Sequence, residues 1–371
     1  MKPSAILLAT HNSLRKGGGG VQLCTADYVS HLIELFNLKI VSFSTDMRLG
    51  SRVANRTFGQ SYRRQVPPRL ALEIEQAMDQ HKPEYVFFNL LDFPREAQNL
   101  RRKFGSSIKL VHLSHGLAST DLGIDQQFHR NASGRLTFDR KAALALGSQL
   151  QFEADYRRYL DGSICLSPLD AEIERWLGVH RAFWLPHSIR EPRLDHVPLE
   201  GRIGCVATLD HPPNRNGLVE FFATLREQGA GRIQFRLVGN PPSIGKEFAE
   251  DFPFVQFLGQ LADEELRAEA ATWSCFVHPI FAYARGRSTK VGVVLGWGLP
   301  LVTTRAGIRG YVWDETLQPL FNTPAELARA ALARSKGRDG AQNVDATAAI
   351  ARLQPSREVV ADRLVRFIQS L

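Results

Sequence analysis

Residues 284–304, ARGRSTKVGVVLGWGLPLVTT, restrict the fold of this chain more than any other stretch. A strand-like apolar run at 276–280 precedes them, and Arg285, Arg287 and Lys290 then fall within six residues. The apolar segment 291–297 is too long for a strand alone and holds no proline. It stops at Gly298-Leu299-Pro300, and 301–304 reads as the next strand. Strand, basic loop, short helix, Gly-Pro stop and strand make one βαβ step of a parallel sheet. Three cations at the start of such a helix add to the positive end of its dipole, where a phosphate or diphosphate binds. The plainer alternative is a solvated basic loop.

The same alternation runs through the rest of the chain in two series. In the first, strands are expected at 5–9, 39–44, 85–90, 109–115, 162–167 and 183–186. Helices are expected at 21–36, 68–80, 94–104, 136–160 and 170–177. Gly17 to Gly20 lie between the first strand and the first helix, where glycines let backbone N–H groups approach an anion closely. His112, His115 and Asp121 fall at or just past a strand's C-terminal end, the ligand side of an open α/β sheet. The spacing makes 115–121 a turn, with His115 either a ligand or structural, and Asp121 either a base or acceptor contact or a loop cap. Three prolines between 186 and 198 mark a boundary.

The second series starts at 202. Strands are expected at 203–208, 235–238 and 255–258, with turns at 211–214 and 239–242. Helices are expected at 217–227, 263–271 (capped by Asp263) and 325–333, and 340–348 reads as loop. A terminal helix at 355–371 carries Val359, Val360, Leu364 and Phe367 on one face. The predicted architecture is α/β, with two doubly wound Rossmann-like domains facing across a cleft and the C-terminal helix packing back on the first. The expected divisions are 1–186, a linker at 187–200, 201–354 and 355–371.

Composition narrows the function classes. The net charge is +8, with 44% hydrophobic and 23% charged residues. Residues 1–199 carry 26 Lys and Arg against 20 Asp and Glu, so the surplus is mostly N-terminal, clustered at Arg63-Arg64 and Arg101 to Lys103. Such a face suits anionic lipid or a phosphorylated substrate. No zinc-ligand set or RNA-binding aromatic motif accompanies it, so nucleic acid is not an expected partner. The four cysteines, Cys24, Cys165, Cys205 and Cys275, are widely spaced in apolar surroundings and show no metal or redox spacing. Neither a signal peptide nor a bilayer-spanning run is read, which makes a cytoplasmic protein the expectation, with peripheral inner-membrane contact left open.

Together these residues resemble GT-B glycosyltransferases, in particular the retaining enzymes of family 4 that build bacterial surface polysaccharides. The resemblance rests on Ala207 to Asn214 (ATLDHPPN), Leu237 to Asn240 (LVGN), 255–259 with Asp263, Arg287 to Lys290, and Gly298 to Thr304 (GLPLVTT). Gly19-Gly20 and Cys165 to Glu172 (CLSPLDAE) extend it to the first half. It implies that Gly18, Gly19 and Gly20 approach the donor diphosphate from the first domain, and that Lys290 with Arg287 or Arg285 holds it from the second. Arg215 lies near the family's other basic position, and His115 near a histidine that contacts the donor sugar. Implied is metal-independent, cofactor-free transfer from a nucleoside-diphosphate sugar to a glycan or lipid-linked glycan. Two family glutamates are replaced here by Arg285 and Val293, and no acid occurs between Glu269 and Asp314. Either the ribose is held differently, or the donor is unusual, or activity is lost. The alternatives are a non-catalytic GT-B binding protein and a nucleotide-sugar epimerase or phosphorylase.

Overall fold

The computed structural model describes residues 2–16, 19–44, 68–90, 94–133, 139–189, 193–230, 232–336 and 340–371. Gly17, Gly18, Arg63 and Arg64 lie outside the described residues.

The first series comprises β1 (Ser4–Thr10), α1 (Gly20–Leu35), β2 (Asn37–Phe43), α2 (Pro68–His81), β3 (Tyr85–Asn89) and α3 (Pro94–Phe104). It continues with β4 (Lys109–Ser114), α4 (Ala118–Ser133), α5 (Arg140–Arg157), β5 (Gly162–Cys165), α6 (Pro168–Trp176) and β6 (Ala182–Trp184). The second comprises β7 (Arg202–Thr208), α7 (Pro212–Glu227), β8 (Gln234–Asn240), α8 (Pro242–Asp251), β9 (Val255–Gly259) and α9 (Asp263–Ala270). Then come β10 (Cys275–His278), α10 (Thr289–Trp297), β11 (Leu301–Thr303), α11 (Pro324–Ser335), α12 (Gly340–Leu353) and α13 (Arg357–Gln369).

The chain divides into two compact units. Unit 1 is Met1–Ser119, Phe138–Leu185 and Arg357–Leu371; unit 2 is Thr120–Thr137 and Pro186–Ser356.

Unit 1 holds a parallel sheet in the order β2-β1-β3-β4-β5-β6. The strands read as near-continuous apolar runs because helices cover both faces, giving one core on each side of the sheet. The second core takes in Val360, Leu364 and Ile368, so the C-terminal helix α13 packs within this unit, as expected. Val360, Leu364 and Phe367 pack on this face as expected, Ile368 joins them, and Val359 is instead 42% exposed.

Unit 2 holds a parallel sheet in the order β11-β10-β7-β8-β9. Neighbours of β7 lead the chain in opposite directions, which puts the topological switch point at the C-terminal ends of β7 and β10. The organising stretch folds as expected around it. α10 buries Val291, Gly292, Val294, Leu295 and Trp297, and it ends at Gly298, whose φ of 72° is the left-handed cap that glycine adopts without strain.

Several expected turns are helix starts. Pro212-Pro213-Asn214 form the first turn of α7 and Pro242 opens α8, since proline is accepted where no intrahelical N–H is needed. Ser119 to Asp121 lie inside α4, not in a turn. α5 starts at Arg140, where the Asp139 carboxylate accepts from Ala142 N–H at 3.1 Å. α9 is preceded by Ala262, whose N–H is accepted by Glu265 at 3.0 Å, so Asp263 is the first helical residue rather than the cap. Residues 340–348 belong to α12, whose Thr347 and Ile350 are buried, so tertiary packing outweighs the loop-like local composition.

Candidate anion-binding site

At the C-terminal end of β7, His211 precedes α7, and at the end of β10 the loop from Pro279 to Ser288 leads into α10. Neither helix has an acidic residue in its first turn or a side-chain cap on its N-terminal amides. Ser288 could serve as that cap, but its hydroxyl is bonded to His278 Nε2 at 2.8 Å. The start of α10 therefore offers the N–H groups of Thr289 and Lys290, whereas α7 opens on two prolines without N–H and its Asn214 N–H donates to the His211 carbonyl at 2.9 Å, so α7 contributes only the positive end of its dipole.

The two ends are brought together by a close approach at Gly217 on α7. A Cβ there would lie 1.7 Å from the Pro279 carbonyl oxygen. That packing sets Asn214, one turn earlier, beside α10, where Lys290 Nζ donates to Asn214 Oδ1 at 3.2 Å. The lysine is half-buried, and burial pushes its pKa down to about 8, helped by the Arg309 charge. Its neighbour Cys205 stays a neutral thiol, pushed up to about 12 by burial. His278 is buried and held far below the usual histidine range by burial first, then by Lys290 and Arg309, so it is a neutral hydrogen-bonding partner. Arg287 is buried beside this helix start. Arg309 braces the loop, donating to the carbonyls of Ala306 at 3.1 Å and Arg285 at 3.4 Å.

A second station lies one turn back along α7. Arg285 Nε is 2.8 Å from Asp121 Oδ2, and His211 Nε2 is 3.9 Å from the same oxygen. Burial would raise the Asp121 carboxyl, but His211 and the Arg285 guanidinium outweigh it and hold the group below the usual aspartate range. Its Oδ1 is buried without a hydrogen-bond partner among the described residues.

The sequence-expected cations therefore separate. Lys290 and Arg287 share the start of α10, and Arg285 stands at the Asp121 station. Arg215 directs its guanidinium to Glu247 at 3.0 and 3.2 Å in an exposed pair. Position 293, where an acid was missed, is a valine packed into the apolar cluster around α10. Asn214 and His211 were not singled out as site residues. A strand followed by Pro-Pro, the preferred opening of a helix, is the signal that places both at a helix start.

Unit 1 presents its own set at the strand ends. Gly19 precedes α1 and Gly20 opens it, again with no side-chain cap and no acid in the first turn. His115, just after β4, is buried, and its Nε2 lies 2.8 Å from Asn89 Oδ1 at the end of β3. Asn89 donates to Thr25 at 3.1 Å, so its Oδ1 accepts and the His115 proton sits on Nε2. Tyr28 packs edge-on to the imidazole at 5.5 Å. Beneath them Arg157 grips Glu174 with two hydrogen bonds of 2.7 and 2.9 Å, and Ser114 donates to the same carboxylate at 2.8 Å. Burial opposes ionisation of Glu174, yet His112 and Arg157 hold its pKa at about 2, so the pair stays charged. No group of three or more metal-ligating side chains occurs among the described residues.

No protein-family model and no curated protein sequence matches the chain. Solved structures do. Sucrose-phosphate synthase from Thermosynechococcus elongatus matches with 15% identity over 99% of this chain and 98% of its own, at a TM-score of 0.67. Anabaena HepE, in complex with UDP and glucose, matches with 15% identity over 99% and 100%, at 0.64. The lipopolysaccharide outer core galactosyltransferase WaaB, in its apo form, matches with 13% identity over 99% of both chains, at 0.61. At these identities the likeness defines the fold. It is the GT-B fold, two parallel-sheet α/β domains.

Proposed function

We propose that this chain is a glycosyltransferase that moves a sugar from a nucleoside-diphosphate sugar to a glycan or lipid-linked glycan, with retention and without a metal. The observation that carries the reading is the half-buried Lys290 in the first turn of α10, bonded to Asn214 at the start of α7, at the switch point of unit 2. The resemblance in sequence and the UDP-bound HepE neighbour support it. A leaving nucleoside diphosphate gains negative charge, and fixed cations with oriented N–H groups stabilise that charge without reorganising. His115 takes the contact with the donor sugar, and Gly18 to Gly20 the approach to the diphosphate. Asp121, held ionised by His211 and Arg285 against its burial, is a weak base and fits better as an acceptor contact.

The apolar Val293 favours one rival, a GT-B protein that binds without turnover. Thermal unfolding with UDP, GDP, dTDP, ADP and CMP, on the wild type and on Lys290→Ala, tests for the site. A ligand at 100 times its dissociation constant adds about 2.7 kcal/mol. One nucleotide should stabilise the wild type and lose most of that effect in the folded variant; no response to any of the five sinks the reading. Donor consumption that requires an acceptor then separates transfer from binding, and consumption without one indicates an epimerase or phosphorylase.

No helix among the described residues is long and apolar enough to cross a membrane. The reading places the enzyme in the cytoplasm, with its basic first half meeting anionic lipid at the inner membrane. Binding to anionic vesicles should weaken as salt rises, and its absence at low salt removes the membrane partner.

A further inference from the structure

Two stations one helical turn apart on α7 face different tasks. Asn214 leads to Lys290 and the start of α10, which suits the diphosphate. His211, about 4.5 Å earlier along the helix axis, leads to Asp121 and Arg285. Arg285 meets the Asp121 carboxylate through its backbone N–H and through Nε, at 2.8 Å from Oδ2, and its side chain is 36% exposed, which leaves its outer nitrogens toward solvent. An arginine fixed in its plane by a carboxylate at Nε presents its outer nitrogens as a fork. That fork matches the paired oxygens of a carboxylate or phosphate, whereas a neutral hydroxyl needs only a single acceptor or donor. Asp121 Oδ1 beside it is closed off from solvent, so the guanidinium fork is the group of this station that is open to a ligand. On a protein that handles sugars, an anion held by that fork belongs to an acidic or phosphorylated sugar.

We infer that Arg285 binds an anionic substituent, a carboxylate or a phosphate, on one of the two sugars this protein handles. The inference rests on the transferase reading and adds the substrate class to it. It also assigns Arg285 away from the diphosphate. An arginine on the diphosphate strengthens every nucleotide sugar equally, whereas an arginine on a substituent discriminates between acidic and neutral twins.

Calorimetric titration separates these roles. The donor arm compares UDP-glucose with UDP-glucuronic acid, and GDP-mannose with GDP-mannuronic acid. The acceptor arm compares glucose with glucose 6-phosphate in the presence of UDP or GDP. In one arm the acidic member should bind about tenfold tighter or more, the effect of a charge-assisted hydrogen bond. Arg285→Gln should bring that ratio to about one. Arg305→Gln, which removes an exposed charge paired with Glu315, should leave the ratio unchanged. Success in the first arm assigns the anion to the donor, and in the second to the acceptor. A wild-type ratio near one in both arms overturns the inference, as does a ratio that survives Arg285→Gln or a variant that weakens acidic and neutral twins equally. Failure of every nucleotide to bind instead removes the transferase reading beneath it.

Discussion

Lys290 is the residue whose charge the site depends on, and its pKa near 8 makes that charge sensitive to pH. Only the protonated lysine attracts a diphosphate, so nucleotide affinity should fall as pH rises through about 8. The free protein responds in the opposite sense. Its folded lysine titrates below the ordinary 10.5, so the unfolded chain holds more protons between about 8 and 10.5, and this group's cost to stability fades across that window. Thermal midpoints with and without the stabilising nucleotide, from pH 6.5 to 9.5, should therefore converge, and Lys290→Arg should keep them apart. A constant gap in the wild type contradicts the assignment. The lysine was legible because a cation at a helix start is visible in sequence. The Asp121–Arg285 pair was not, because its partners are 164 positions apart in the chain and only the fold brings them together.

At the scale of elements, the site depends on how closely α7 can approach β10. Gly217 is where that approach is closest, and the neighbouring atom is a backbone carbonyl that cannot rotate away. Gly217→Ala should therefore displace the start of α7, destabilise unit 2 by about 1–3 kcal/mol as overpacking does, and weaken nucleotide binding through Asn214. Wild-type stability and affinity together in this variant would show that the approach is unimportant. The strands and buried helices were readable because both faces of a parallel sheet are covered and its runs are plainly apolar. Helices α4, α8 and α12 were not, for physical reasons visible in each. α8 opens on Pro241-Pro242, which resembles a turn, and α4 and α12 carry the Gly, Asn and Asp residues usual in loops. Packing of one narrow face, such as Thr347 and Ile350 in α12, outweighs those local preferences.

At the scale of the whole molecule, unit 1 is closed by the last residues of the chain. Val360 and Leu364 are fully buried and Ile368 nearly so, while Phe367 stacks on Phe183 at 5.2 Å. The terminal Leu371 carbonyl accepts from Lys109 at 2.7 Å, and Arg357 pairs with Glu34 on α1. Gly162 marks how tightly the end is seated, since a Cβ there would meet Leu371 at 2.7 Å and Phe367 at 2.9 Å. Burying three such aliphatic side chains contributes about 1.5–3 kcal/mol each. Their sum is comparable to the roughly 5–15 kcal/mol that holds a whole domain folded. Deleting Arg357–Leu371 should therefore abolish cooperative folding of unit 1 while unit 2, whose core contains none of these residues, keeps its own. Hydrogen exchange resolved by peptide would report this as lost protection in β1, β3 and β4 with β7, β8 and β10 still protected. Equal protection of both sheets after the deletion would mean that α13 is an accessory to unit 1 and not part of its core.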